Sequence, residues 1–198
     1  MSFELTLDNI KHSYLTLGFI IVNSLVFIVV NIILGSNAIY FLAHSNLRIS
    51  EGKELWTLIT SFFVHANIVH LFNNLLGLLI FGATAEKYYR KWQYLLIYFS
   101  SGLIGSIFSF LFSPKNTYGL GASGVVFGLM GAVIILVPKE NKVLYLYSAI
   151  YLIYSIVYSF LPGIGTWAHI FGLITGYTIG IIIKKIRERK LKNLQNYY

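Results

Sequence analysis

Six apolar runs dominate this 198-residue sequence, at 17–35, 58–83, 93–112, 120–137, 143–161 and 167–183. Each supplies most of the ~20 residues that a helix needs to cross ~30 Å of hydrocarbon. Lipid offers no partner to a free backbone group, so such runs must close their hydrogen bonds internally, as helices. The expected fold is an all-α membrane protein with six transmembrane helices. Composition agrees: the chain is 57% hydrophobic and 11% charged, against ~25% charged in ordinary soluble domains. The second run is longer than a span requires, and its first part, 58–66, is expected in the interface or in the preceding connection. Pro114, Pro138 and Pro162 stand at the ends of the third, fourth and fifth runs, as helix stops. The one sizeable connection, 35–56, carries Ile39, Tyr40, Phe41 and Leu42 and is expected on or in the interface.

The sequence has no cysteine, which removes disulfides, thiolate metal sites and cysteine catalysis. Its net charge of +8 does not point to nucleic acid, because the basic residues flank the apolar runs. The N-terminus lacks the pattern of a cleaved signal peptide, and no soluble domain or repeat is expected. With the N-terminus placed inside, twelve of the fifteen Lys and Arg residues fall on inner segments, and only Arg48, Lys53 and Lys115 fall outside. The positive-inside rule then makes both termini cytoplasmic. The expected organisation is a short N-terminal segment (1–16), a six-helix core (17–183) and a basic cytoplasmic tail (184–198), in the cell membrane. The second, fourth and sixth helices all run from outside to inside.

Polar groups inside a span are costly, and each is a functional candidate. The second run carries His65, Asn67, His70, Asn73 and Asn74 near its start. The fourth begins Gly121-Ala122-Ser123-Gly124, and the sixth carries His169 near its start. Shared direction brings these three sets to one depth, just below the outer surface. Any one of them alone reads as an interhelical hydrogen bond worth about 1 kcal/mol or less. His70 and Asn74 are four residues apart and share a helix face. Ser123 lies at a helix start, where backbone N–H groups have no intrahelical acceptor and can stabilise a developing oxyanion. Small residues recur at every fourth position: Gly124 and Gly128 in one run, Ala168, Gly172, Gly176 and Gly180 in the other. Such stripes let two helices approach closely and would bring Ser123 to His169, the minimum for an activated hydroxyl nucleophile. The acids are Glu4, Asp8, Glu51, Glu54, Glu86, Glu140 and Glu188, and none lies in the outer half of a span. A dyad is therefore expected rather than a triad, its imidazole held by packing, with Phe127 one turn beyond Ser123 as the stacking candidate.

Together these residues resemble the rhomboid intramembrane serine proteases. The carriers are His65-Ala66-Asn67-Ile68-Val69-His70 with Leu71-Phe72-Asn73-Asn74, then Gly121-Ala122-Ser123-Gly124, then Ala168-His169-Ile170-Phe171-Gly172 with Gly176. The resemblance implies a six-helix rhomboid-like bundle with Ser123 as nucleophile and His169 as base. It implies an oxyanion hole from His70, Asn74 and the Ser123 N–H, with Gly121 and Ala122 shaping the turn and His65 supporting it. Glu86 is implied as a structural acid at the inner end of the second helix, 35–56 as the membrane-embedded first loop, and the fifth helix with 161–167 as the gate. Tyr147, Tyr151, Tyr154 and Tyr158 share a face there and equally suit plain packing. Two departures stand out: Thr57 follows Trp56 where the family often has Arg, and Phe127 replaces a frequent Tyr.

The activity implied is cleavage of peptide bonds in or near transmembrane segments of membrane proteins, with the bilayer and such substrates as partners, no nucleic acid and no cofactor. The alternative is a non-proteolytic rhomboid-like protein that binds membrane clients. A metal or haem site at His65, His70 and His169 lacks an acid and an HExxH motif, and a transporter would show repeated halves.

Overall fold

The computed structural model describes residues 7–136, 142–159 and 165–195. Pro138, Pro162 and most of 161–167 lie outside the described residues. Four helices are long and apolar enough to cross a membrane: α1 (Tyr14–Leu34), α2 (Ile68–Tyr88), α3 (Lys91–Phe112) and α6 (Thr166–Gln195). Between them lie α4 (Ser123–Leu136) and α5 (Lys142–Ser159). The protein is thus an all-α membrane protein. The described residues also hold one short two-stranded pair, β1 (His44–Ser45) antiparallel to β2 (Tyr118–Gly119).

α4 is the centre. It is buried on every face from Gly124 to Val133, as expected of a helix apolar all round and enclosed by others. Its glycines set the packing. A Cβ on Gly172 would collide with the Gly124 carbonyl, and one on Gly176 with the Gly128 carbonyl. α4 and α6 therefore touch backbone to backbone along the small-residue stripe. Aromatic pairs close the other seams. Phe108 of α3 stacks on Phe171 of α6 at 3.7 Å, and Phe19 of α1 on Tyr98 of α3 at 3.8 Å.

The ends of the helices are satisfied by specific side chains. Glu86 of α2 accepts from the Leu15 and Thr16 N–H groups, both at 2.9 Å, and from the Thr16 hydroxyl at 3.0 Å. It caps the start of α1, where a carboxylate suits the positive helix end. Arg187 donates to the Tyr88 carbonyl at 2.8 Å and to Gln93 at 3.0 Å, which ties the far end of α6 to the α2–α3 turn.

The helix boundaries are finer than the apolar runs. The first part of the run from 58 is not helix of α2, in keeping with its expected place in the interface or the preceding connection. Thr57–Thr60 and Ser61–Phe63 form short turns, the chain is extended at Val64 and Asn67, and α2 begins at Ile68 with Asn67 as its cap. The cap side chain accepts the His70 N–H at 2.9 Å, and a cap of this kind starts a helix wherever the chain can turn into it. α6 continues through 184 to Gln195, so the basic segment prolongs the same helix. At the other end, α1 begins at Tyr14 and a separate short helix, Leu7–Lys11, precedes it.

Candidate active site

The first loop frames the site. It contains the helices Ser36–Leu42 and Asn46–Ser50, and β1 docks it on the β2 segment that leads to Ser123. The Asn46 amide donates to the carbonyls of Ser113 at 3.1 Å and Pro114 at 3.0 Å, just beyond the end of α3. Its oxygen pairs with His44 Nε2 at 2.6 Å. Burial holds the His44 pKa below its ordinary value, and this hydrogen bond opposes the shift only in part. Arg48 pairs with Glu54. Thr57, fully buried, donates its hydroxyl to the Glu54 carbonyl at 2.7 Å, so a local bond to the loop occupies the position where an Arg was the family expectation.

Ser123 is the first residue of α4, and His169 lies in the first turn of α6. Their separation, Ser123 Oγ to His169 Nε2, is 2.8 Å. The Phe127 ring stacks on His169 at 4.6 Å, with the planes 12° apart. Gly124 faces Ala168, where an added Cβ would sit 3.3 Å from the carbonyl. The approach of the two helices thus sets the Ser–His distance.

A cavity of about 260 Å³ opens beside this pair, and His70, Asn74 and Tyr151 line it along with Ser123 and His169. No Asp or Glu lines it among the described residues. The turn before Ser123 is fixed at Gly121, whose φ is +109° and whose missing Cβ would sit 2.7 Å from the His70 ring. Only glycine suits that backbone at that distance. The Gly121 N–H donates to the Ser61 carbonyl at 2.8 Å, and the buried Ala122 N–H points to His65 Nε2 at 3.5 Å. The Ala66 N–H points to His70 Nδ1, also at 3.5 Å. An acceptor role for Nδ1 leaves the proton on Nε2, the atom that faces Gly121. Asn74 spends one amide hydrogen on the His70 carbonyl at 2.9 Å, and its NH2 carries a second.

The structure therefore brings Ser123, His169, His70, Asn74, Gly121, Gly124 and Phe127 to one cavity. Ala122 and His65 lie directly behind it, and Gly172 behind Gly124. His65 stands in the extended stretch before α2 and not on the helix, because the helix starts only after the Asn67 cap. Tyr151 and Tyr154 line the cavity, and Tyr151 contacts both Phe81 and Phe127. Tyr147 is exposed, and the Tyr158 side chain lies outside the described residues. Sequence reasoning missed His44, which lines the cavity from the first loop, and Asn31 of α1, which donates to the His65 carbonyl at 2.9 Å. The cost of a polar group in an apolar run, applied to the first run as it was to the second, flags Asn31; nothing local flags His44.

Comparison with known proteins gives a consistent answer. A model of the rhomboid domain matches residues 52–186. The chain is 37% identical over 142 residues to RHOMBOID-like protein 6, mitochondrial, of Arabidopsis thaliana, a match that covers 69% of this chain and 46% of that protein. It is 31% identical over 150 residues to the putative rhomboid protease YdcA of Bacillus subtilis (strain 168), covering 73% of this chain and 75% of that protein. Another relative, 32% identical over 133 residues and covering 64% of this chain and 38% of that protein, is the inactive RHOMBOID-like protein 8 of Arabidopsis thaliana. The chain spans about half the length of the first plant relative. With the family model covering most of the sequence and the bacterial relative matched over three quarters of its length, this membrane protein belongs to the rhomboid family.

Proposed function

We propose that this protein is an active intramembrane serine endopeptidase, a six-helix rhomboid core that cleaves peptide bonds in or near transmembrane segments of other membrane proteins. The observation that carries the reading is the 2.8 Å contact between Ser123 Oγ and His169 Nε2 at the wall of a cavity. His169 Nε2 takes the Ser123 proton as Oγ attacks the scissile carbonyl carbon. The carbonyl oxygen becomes an oxyanion, which His70 Nε2–H, the second Asn74 amide hydrogen and the Ser123 N–H stabilise. His169 then gives its proton to the leaving amine as the C–N bond breaks, which leaves an ester on Ser123. Water, deprotonated by His169, attacks that ester, and the acid leaves as the Oγ–acyl bond breaks and His169 returns the proton to Ser123 Oγ. Among the described residues no Asp or Glu lines the cavity, and the Phe127 ring orients the imidazole by stacking. This is a dyad mechanism.

The segment 17–183 would be the catalytic core. α4 and α5 would complete six spans, with both termini cytoplasmic and the site near the outer surface of the cell membrane. α5 and 161–167 would gate entry. A family member named inactive keeps the client-binding alternative in view.

The test is cleavage of a model transmembrane substrate by protein reconstituted in liposomes. Ser123→Ala and His169→Ala should each abolish cleavage and labelling by a fluorophosphonate, with melting temperatures unchanged. Cleavage by Ser123→Ala at the wild-type rate would refute the reading, and substrate binding with no cleavage by wild type would favour the client-binding alternative.

A further inference from the structure

One peptide unit behind the cavity is held at both ends. It joins His65 to Ala66. Its oxygen accepts from Asn31 Nδ2 at 2.9 Å, and its N–H points to His70 Nδ1 at 3.5 Å. A peptide is planar, so a grip on the oxygen sets the direction of the N–H. Donation to the oxygen also polarises the amide and strengthens its own donation. The chain around this unit is extended at Val64 and Asn67, so helix geometry does not fix its orientation.

Asn31 is an unusual residue for its place. Ile32, Ile33 and Leu34 beside it are exposed apolar residues at the end of a membrane helix. It sits in Ile28–Leu34, where α1 widens to π-helical geometry, a distortion common at functional sites. Among the described residues its Oδ1 is buried without a partner, so the amide oxygen does not cap or bond α1. A polar group kept at that cost in lipid calls for a use, and its donor goes to the His65 carbonyl.

We propose that Asn31 is a positioning residue for His70: it orients the His65–Ala66 peptide so that the Ala66 N–H occupies His70 Nδ1 and the imidazole proton stays on Nε2, facing the cavity. Without Asn31 the peptide plane turns, Nδ1 loses its donor, and the other tautomer becomes accessible. That tautomer presents a lone pair where the developing oxyanion needs a hydrogen. This inference rests on the oxyanion role proposed for His70, and its structural half is measurable without catalysis.

The test pairs two readouts on the full chain in lipid. The first is nitrogen NMR of imidazole-labelled protein, with His70 assigned by the signals lost in His70→Gln. Wild type should show His70 protonated at Nε2, and Asn31→Leu and Asn31→Ala should show a tautomer mixture. A wild-type His70 protonated at Nδ1, or an unchanged signal in both variants, overturns the proposal. The second is cleavage kinetics. Asn31→Leu should lower kcat about tenfold, a fraction of what a lost oxyanion donor costs, with KM unchanged and activity partly restored in Asn31→Gln. In a His70→Ala background the same change should cost less than about twofold, because residues acting through one another are not additive. Equal losses in both backgrounds also overturn it. A tautomer shift without any Ser123-dependent cleavage in wild type would sink the protease reading alone.

Discussion

Gly172 and Gly124 meet so closely that a methyl group on the first would collide with the carbonyl oxygen of the second. That contact lies one residue from Ser123 and three from His169. Substitution here should act on the chemistry as well as on stability. Gly172→Ala is expected to cost about 1–3 kcal/mol through overpacking and to reduce cleavage at least ~10²-fold, by opening the Ser–His distance. Gly180→Ala, whose Cβ would meet Ala132 at 3.2 Å at the far end, should lower the melting temperature with a smaller loss of activity. Parallel melting and cleavage assays separate the two effects.

The proposed oxyanion hole predicts a kinetic signature. His70→Ala and Asn74→Ala should each lower kcat ~10²–10³-fold with KM little changed, since these donors act on charge that develops in the transition state. Reaction with a fluorophosphonate should slow in parallel. If both variants raise KM and leave kcat intact, the residues bind substrate and do not stabilise an oxyanion.

The stacked Phe127 is predicted to orient His169. Phe127→Tyr keeps the ring and should retain activity within about twofold. Phe127→Ala removes it and should cost about tenfold, because the base then samples unproductive orientations. Equal activity in Phe127→Ala and wild type would show that stacking is irrelevant to the imidazole.

The first loop should be acid-sensitive through His44. Burial keeps its folded-state pKa below the ordinary value near 6.5, so the unfolded chain binds the proton more readily. Above about pH 6.5 both states are neutral at this residue and it contributes nothing to the pH dependence. Below that pH, stability falls until the folded-state pKa is passed. His44→Gln should flatten this part of the profile. Melting temperatures of both proteins between about pH 7.5 and 5 check the prediction, and identical slopes would remove His44 as the cause.

Glu86→Ala should leave the start of α1 uncapped and cost about 0.5–2 kcal/mol. The site is at the opposite end of α2, so kcat measured well below the melting temperature should stay within about twofold. Chemical denaturation in mixed micelles gives the first value and cleavage the second.

Much of this molecule was readable before its structure. The long apolar runs gave helices because lipid leaves the backbone no other choice. The small-residue stripes around Gly124 and Gly172 forecast the contact that brings Ser123 to His169. What was left open has a common cause. The first part of the run from 58 is expected outside the span, and the Asn67 cap that sets the start of α2 is marked by neither Pro nor Gly. α6 passes 184 into the basic segment, whose conformation hydropathy does not report. His44, Asn46 and the β1–β2 pair act through residues distant in sequence, at the end of α3 and before Ser123, and no local pattern carries that pairing.

The cap that Glu86 places on α1 also bears on the order in which the molecule is made. A nascent chain enters the membrane from its N-terminus, and a carboxylate there is costly until it finds donors. Leu15 and Thr16 are already present when Glu86 emerges, and Asn31 is present when His65 does. The first two spans can thus become a self-satisfied hairpin before the remaining helices are synthesised. His70 is held from that moment. Ser123 and then His169 follow in the chain, so their contact is completed last, against a surface that is already in place.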